Sequence, residues 1–226
     1  MTKKEKTKLT IKEYVELLEE EVIHTYFGEV KNGKPHGIGE LKGHSGNIKW
    51  IGRFKNGNLS KGTEYFDAGD NKREYKGTFK NFQAHGYGTA KYVYYFFNGE
   101  QCHPRQANQR DYEIYKGYWK NGLRNGKGTQ IQYADAKYSK VSEKYTGYFR
   151  DEDYHGQGEL IYYENKKWEK KWIGKFNQGE LSKGTFIQKY KDEIFEYTGE
   201  LANMHSDIYR TPHGKGTMKH SMPKMK

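Results

Sequence analysis

The sequence predicts an all-β repeat array built from consecutive hairpins. One phrase recurs seven times: an aromatic residue, a glycine two positions later, a polar turn and a second glycine cluster. Recurrence at a period of about 25 residues is typical of solenoids, in which each unit packs against its neighbours. The turns are rich in Asn and Gly, which favour tight hairpins. The seven copies begin at Tyr26, Trp50, Tyr75, Tyr115, Tyr145, Trp172 and Tyr197.

The composition indicates a single sheet rather than a thick, two-layer core. Hydrophobic residues make up 33% of the 226 residues, and aromatic residues make up 16%. A two-layer domain of this length would need more aliphatic side chains. The 21 Tyr and 11 Phe suit a sheet whose faces are half-buried by flat, amphipathic rings.

The N-terminal segment is predicted to be a basic tail over residues 1–8, followed by an amphipathic helix over residues 9–24. Thr10 and Glu13 form a possible capping box at the start of that helix. Two roles are open for the helix: covering the edge of the first hairpin or docking a partner. One helical face would carry Ile11, Tyr14, Val15, Leu18 and Val22.

The fourth copy shows how the phrase forms a hairpin. Residues two apart share a strand face, so Tyr115, Gly117 and Trp119 point one way, and the glycine is expected to leave room for a neighbouring ring. The second strand begins at the paired glycines. Copies three, five and seven lack the Asn-Gly turn, and we expect longer or less regular loops there. Lys-Asn-Gly turns lie at 31–33, 55–57 and 120–122.

The copies are also related at a higher level. Residues 50–63 and 172–185 resemble each other, and both replace the paired-glycine ending with Leu-Ser-Lys-Gly-Thr. This similarity indicates duplication of a four-repeat block, giving two lobes of one array over residues 25–218. A basic C-terminal tail is predicted over residues 219–226.

An insertion over residues 91–114 separates the third and fourth copies. It contains six bulky residues in succession, from Tyr92 to Phe97. Such a run predicts an extended hairpin arm buried on both faces, either by the array or by a partner.

The formal net charge of +11 predicts attraction to an acidic surface, although lysines that keep a sheet soluble would give the same charge. The lysines are spread along the chain, so charge alone names no partner. Cys102 is the single cysteine, which excludes an intramolecular disulfide and suits a reducing compartment. With no apolar run of about 20 residues, an intracellular protein is expected.

Nothing in the sequence predicts catalysis, a metal or a cofactor. The recurrent histidines His36, His85, His155 and His213 would lie about 20 Å apart in stacked hairpins, too far to share an ion. Residues 122–128 lack the spacing of a phosphate-binding loop. Residues 151–153 are too short for a calcium loop.

The phrase closely resembles the MORN repeat, and the copy over residues 115–129 matches it almost in full. The resemblance covers residues 26–218. It implies an elongated, twisted antiparallel sheet of successive hairpins with an aromatic groove. It also implies a scaffold in a cytoskeletal, ciliary or membrane-contact assembly, with a cytoplasmic location.

The leading functional hypothesis is a non-enzymatic scaffold that holds a peptide or helix of another protein in the aromatic groove. A peripheral membrane tether for anionic phospholipids and an accessory subunit of an enzyme complex are the alternatives, and no nucleic acid partner is expected. The predicted groove residues are Tyr115, Trp119, Tyr145 and Phe149, and Tyr94 and Phe96 of the insertion are predicted to close over the ligand.

Overall fold

The structure, a computed structural model, describes residues 6–15, 20–69, 71–97, 100–101, 106–107, 109–134, 140–164, 167–191, 193–202 and 211–221. The all-β prediction is confirmed, because these residues form strands joined by turns and bends. The strands are β1 Thr7–Val15, β2 Glu20–Lys31, β3 Lys34–Lys42, β4 Ile48–Lys55, β5 Asn58–Asp67, β6 Asn71–Lys80, β7 Gln83–Phe97, β8 Glu100–Gln101, β9 Gln109–Lys120, β10 Leu123–Tyr133, β11 Val141–Arg150, β12 Asp153–Glu164, β13 Lys167–Asn177, β14 Glu180–Tyr190, β15 Glu193–Ala202 and β16 Thr211–Ser221.

The chain divides into two compact units. The first contains Met1–Arg110 and Trp119–Gly122, and the second contains Asp111–Tyr118 and Leu123–Lys226. In the first unit the strands from β1 to β7 pair in chain order, and β8 pairs with β7. In the second unit the strands from β10 to β16 also pair in chain order. Adjacent antiparallel strands joined by short turns confirm the predicted hairpins.

A row of paired glycines crosses each unit. In the first unit Gly28 pairs with Gly39, and each further strand through β7 places a glycine opposite the previous one. In the second unit the same row runs from Gly128 on β10 to Gly216 on β16. The recurrent glycines of the sequence therefore meet side by side in the folded chain and fix the register of the hairpins.

The predicted Asn-Gly turns are confirmed. Asn32 and Gly33 have φ values of 50° and 71°, and the turns at 56–57 and 121–122 share this left-handed conformation. Two consecutive positive φ values define the turn that matches the twist of a hairpin.

The expectation of longer loops in the third and fifth copies is wrong. Those copies keep two-residue turns, although a bulky residue stands where glycine is usual: Phe82 has a φ of 57° and Glu152 a φ of 80°. Their side chains offset this strained conformation, since Phe82 packs 5.2 Å from the Trp50 ring and Glu152 bonds Arg124. The corresponding turn of the seventh copy lies outside the described residues.

The predicted N-terminal helix over residues 9–24 is not formed. Strand β1 pairs with β2 instead, with Thr7 opposite Gly28 and Leu9 opposite Tyr26. Residues 7–15 are rich in Thr, Ile, Tyr and Val, which favour strands, and the backbone groups of β2 gain hydrogen-bond partners. The segment thus covers the edge of the first repeat, as one interpretation required, but as a strand.

The insertion lengthens β7 to 15 residues. Its pairing with β6 extends to Tyr94, and its end forms a hairpin with β8. Burial on both faces is not observed: Tyr95 is buried, but Tyr92, Tyr94 and Phe96 are half-buried. A single sheet has no second layer to cover these rings fully.

Candidate functional site

The tyrosine that opens five of the seven repeats covers the glycine row from one side, here called the ring face. A Cβ atom added at Gly117 would lie 2.5 Å from the hydroxyl oxygen of Tyr115 and 2.6 Å from the Cα of Gly128. The Tyr115 hydroxyl donates a hydrogen bond to the carbonyl oxygen of Tyr118 at 3.0 Å. In these tyrosine copies the ring over the glycines therefore belongs to the same repeat, and the expectation of a neighbouring ring is wrong. The same bond joins Tyr26 to Glu29, Tyr75 to Thr78, Tyr145 to Tyr148 and Tyr197 to Glu200.

The two tryptophan copies cover their glycines with leucine. A Cβ atom at Gly52 would lie 3.1 Å from Cδ1 of Leu59, and Gly174 has the same relation to Leu181. The next residue is a serine that forms the β-bulge: the Ser60 hydroxyl donates to the Arg53 carbonyl oxygen at 2.8 Å. These contacts explain the Leu-Ser-Lys-Gly-Thr ending, which exchanges a tyrosine cover for a leucine cover.

Replacing Tyr115 with Phe is expected to lower the free energy of unfolding by about 1 kcal/mol, because the Tyr118 carbonyl oxygen loses its hydroxyl donor. Urea unfolding followed by circular dichroism measures the change. Tyr118→Phe is the matched control, because that side chain is 51% exposed. An equal loss in both variants would contradict the proposed role of the bond.

Rings of neighbouring repeats pack edge to face. Tyr26 contacts Phe54 in the first unit with ring centroids 5.0 Å apart. Tyr115 contacts Phe149 in the second unit at 4.9 Å. The first ring of one copy thus meets the fifth residue of the next copy, which couples the repeats. Tyr75 with Trp119 and Tyr145 with Phe176 repeat the arrangement.

The predicted groove residues fall into two groups. Tyr115 and Tyr145 are fully buried, and Trp119 and Phe149 are each 3% exposed, so all four are core residues of the isolated chain. Tyr94 and Phe96 are half-buried and lie on the ring face of β7. The predicted contact of these six residues with a partner stays a prediction.

A buried polar network lies among the rings of the second unit. The Arg124 guanidinium contacts Glu113 at 2.6 Å and Glu152 at 3.0 Å, and donates to Gln130 at 2.7 Å. Gln130 in turn donates to Glu113 at 3.0 Å. The guanidinium carbon also lies 5.3 Å from the centroid of the Tyr115 ring. One cation therefore holds together residues from the fourth and fifth copies.

The pKa values of Glu113 and of the nearby Tyr154 are shifted. Burial raises the pKa of Glu113 above its usual range, although Arg124 acts in the opposite direction. Burial, with Glu143 beside it, raises the pKa of Tyr154, whose hydroxyl donates to Glu143 at 2.8 Å. Sequence reasoning missed this network. Its available signal was Arg124, which occupies a repeat position held elsewhere by Pro35, Leu59, Ala84 and Leu181.

A second buried polar group lies in the first unit, and the equivalent positions of the second unit carry aromatic rings. In the first unit the indole N–H of Trp50 donates to Glu64 at 3.0 Å, and Arg73 pairs with the same carboxylate. At the equivalent positions of the second unit, Phe186 lies 5.1 Å from Trp172, and Phe195 lies beside Phe186. The indole nitrogen of Trp172 is buried with no hydrogen-bond partner, so the apolar version leaves a donor unsatisfied.

Alkaline pH is expected to destabilise the fold through its buried phenols. Burial raises the pKa of Tyr145 from 10.0 to about 12, so the folded chain holds this proton more tightly than the unfolded chain. The resulting stability is present below pH 10 and is lost as the pH rises towards 12. Urea unfolding between about pH 9 and about pH 12 measures the slope. Tyr145→Phe should reduce the dependence of the free energy of unfolding on pH, whereas Tyr118→Phe should leave it unchanged. A pH dependence that Tyr118→Phe reduces and Tyr145→Phe does not would contradict this prediction.

Among the described residues, no group of three or more His, Cys, Asp and Glu side chains is placed to hold a metal ion. Within the same residues, no helix is long and apolar enough to span a bilayer. What the geometry does provide is a repeated sheet with one face of buried rings and one face of exposed side chains.

The fold and the ring face define a β-hairpin repeat protein with a tyrosine-covered glycine row. The family model of the MORN repeat matches residues 26–48, 75–100 and 115–131. These three matches support a MORN-repeat protein. No curated protein matches its sequence. MORN repeats are generally involved in protein–protein or membrane–lipid interactions.

Proposed function

We propose that this protein is a non-enzymatic scaffold that binds a partner protein on the ring face of its first unit. The observation that carries the proposal is the strip of half-buried rings formed by Tyr92, Tyr94 and Phe96 beside the fully buried core. The strip lies on the insertion, which the other repeats lack.

The strip suits a protein contact because it is ordered before binding. Tyr92 and Tyr94 stack with their ring centroids 6.0 Å apart and an interplanar angle of 4°. The pairing of β7 with β6 holds their backbone. Rigid aromatic side chains lose little conformational entropy on binding and are frequent interface anchors.

The buried rings have a different role in this proposal. Tyr115, Trp119, Tyr145 and Phe149 are core residues that make the repeats rigid, and they are not contact residues in this proposal. Tyr94 and Phe96 supply the larger accessible area. The function therefore depends on an ordered surface supported by the core.

Affinity capture from the native cell tests the proposal, with the full chain as bait and captured proteins measured by mass spectrometry. Tyr94→Ser with Phe96→Ser should lose a partner that the unaltered chain retains. Tyr87→Ser is the matched control, since Tyr87 lies on β7, faces the opposite side and is 50% exposed. Equal capture by the strip variant and the unaltered chain would refute the assigned surface.

The same proposal places the protein in a cytoskeletal or ciliary assembly, supported only by its resemblance to the MORN family. Imaging of the tagged chain in the native cell tests this location. Flotation with anionic vesicles at physiological salt separates a scaffold from a membrane tether. Salt-sensitive flotation that the strip variant retains would favour the tether.

A further inference from the structure

We propose that the opposite face of the second unit docks an acidic protein segment that carries both carboxylates and apolar side chains on the side facing the sheet. This face, here called the lysine face, carries the side chains that alternate with the ring face along each strand. It is separate from the strip assigned above, so the two surfaces would let one chain contact two partners.

Two exposed rings stand on the lysine face. Tyr118 is 51% exposed and Tyr148 is 42% exposed. Each lies over a glycine of the neighbouring strand: a Cβ atom at Gly126 would lie 3.0 Å from Cβ of Tyr118, and one at Gly156 would lie 3.4 Å from Cβ of Tyr148. The glycines let the rings rest against the backbone, which fixes their position.

Lysines alternate with these rings. Lys127 is opposite Tyr148, and its ammonium lies 5.3 Å from the ring centroid. On β13, two strands beyond Tyr148, Lys175 is opposite Lys183 of β14, and both side chains are exposed. Because neighbouring strands are about 4.8 Å apart, the cations are spaced at intervals that a chain with repeated carboxylates can follow.

Two carboxylates on this part of the face stand beside lysines. Glu159 lies 3.1 Å from the ammonium of Lys171, and Glu200 is opposite Lys183, whereas among the described strands the lysines at 127 and 175 have no carboxylate opposite them. The exposed lysines therefore dominate the local charge, and an acidic ligand is the complementary one.

The apolar residues on the same face favour a protein segment over other anions. Ile173 is 41% exposed, lies between Lys171 and Lys175 along β13, and is opposite Glu159. This aliphatic side chain can pack against Leu or Phe of a peptide, whereas stacked bases would engage only the rings of Tyr118 and Tyr148. Glu159 also interrupts the positive surface that a continuous phosphate backbone would favour.

Fluorescence anisotropy of the full chain tests this inference at physiological salt. The probe is a labelled peptide with a repeated Glu-Asp-Phe-Leu sequence, which gives each side of an extended chain both carboxylates and apolar side chains. The control peptide carries Lys in place of Glu and Asp. Anionic phosphatidylserine vesicles and an oligothymidylate strand serve as competing ligands. Circular dichroism verifies that each variant is folded.

Three double variants identify the surface. Lys127→Glu with Lys175→Glu, and Tyr118→Thr with Tyr148→Thr, should each weaken binding of the acidic peptide by about tenfold or more. Lys140→Glu with Lys191→Glu is the charge-matched control, because these exposed lysines lie at the ends of hairpins. It should bind almost as the unaltered chain does. The double tyrosine variant keeps the net charge, so weaker peptide binding by this variant would report on lost packing.

Several results would overturn the proposal. An equal loss in the charge-matched control would assign binding to net charge alone. Binding of vesicles or oligothymidylate, but not of the acidic peptide, would assign the face to a lipid or a nucleic acid. Absence of binding to all three probes would also reject it.

Discussion

The substitution Gly117→Val is expected to destabilise the fold by about 3 kcal/mol, at the upper end of the usual cost of overpacking. An added Cβ would lie 2.6 Å from the Cα of Gly128 and 2.7 Å from the carbonyl oxygen of Lys127. Both are backbone atoms, so the clash cannot be relieved by turning a side chain. The Tyr115 ring would also be displaced from its site.

Urea unfolding of both variants measures the effect. Lys116→Val is the matched control, because it adds the same side chain one residue earlier on the exposed face. The control should change the free energy of unfolding by less than about 0.5 kcal/mol. If the two variants were equally stable, the tyrosine would not cover the glycine row.

The hairpins were predictable because their signals are local. Asn-Gly at residues 32–33 specifies a two-residue turn without help from the rest of the chain. The glycine two positions after each opening aromatic also indicated a space filled by a ring. The identity of that ring was not predictable, since a tyrosine can pack over its own strand or over the next one.

The N-terminal strand shows why an amphipathic pattern was insufficient. Residues 9–24 satisfied a helical pattern, but Thr, Ile and Val in β1 also suit a strand. Pairing with β2 supplies hydrogen bonds that a docked helix would not. The neighbouring strand β2 decided between helix and strand, and the local sequence pattern does not show which strand will be the neighbour.

The two-residue turn at Asp151–Glu152 illustrates a further limit. Without the usual glycine, the sequence argued for an irregular loop. In the structure the Glu152 carboxylate accepts a hydrogen bond from the backbone N–H of Arg124 at 2.6 Å, and its own N–H donates to the Arg124 carbonyl oxygen. The residues are far apart in sequence, so this compensation is visible only in the folded chain.

The substitution Arg124→Ala is expected to lower stability at neutral pH by about 3 to 5 kcal/mol, because it leaves the Glu113 carboxylate buried without its cation. Arg124 itself is 8% exposed and Glu113 is 7% exposed, so water replaces little of the lost contact. Arg150→Ala, at an exposed position on β11, should cost less than about 0.5 kcal/mol.

The pH dependence separates this effect from simple loss of packing. Burial already raises the folded pKa of Glu113, and Arg124 lowers it, so Arg124→Ala should raise that pKa further. A raised folded pKa means that the folded state holds the proton more tightly, and stability falls as the pH rises from the unfolded pKa through the folded one. The variant should therefore recover towards the unaltered chain on acidification.

Glu113→Gln in the Arg124→Ala background should restore much of the stability at neutral pH and remove the recovery. A stability difference that stays constant from about pH 4 to about pH 7.5 would show that Arg124 acts through packing on Tyr115 rather than through the charge of Glu113.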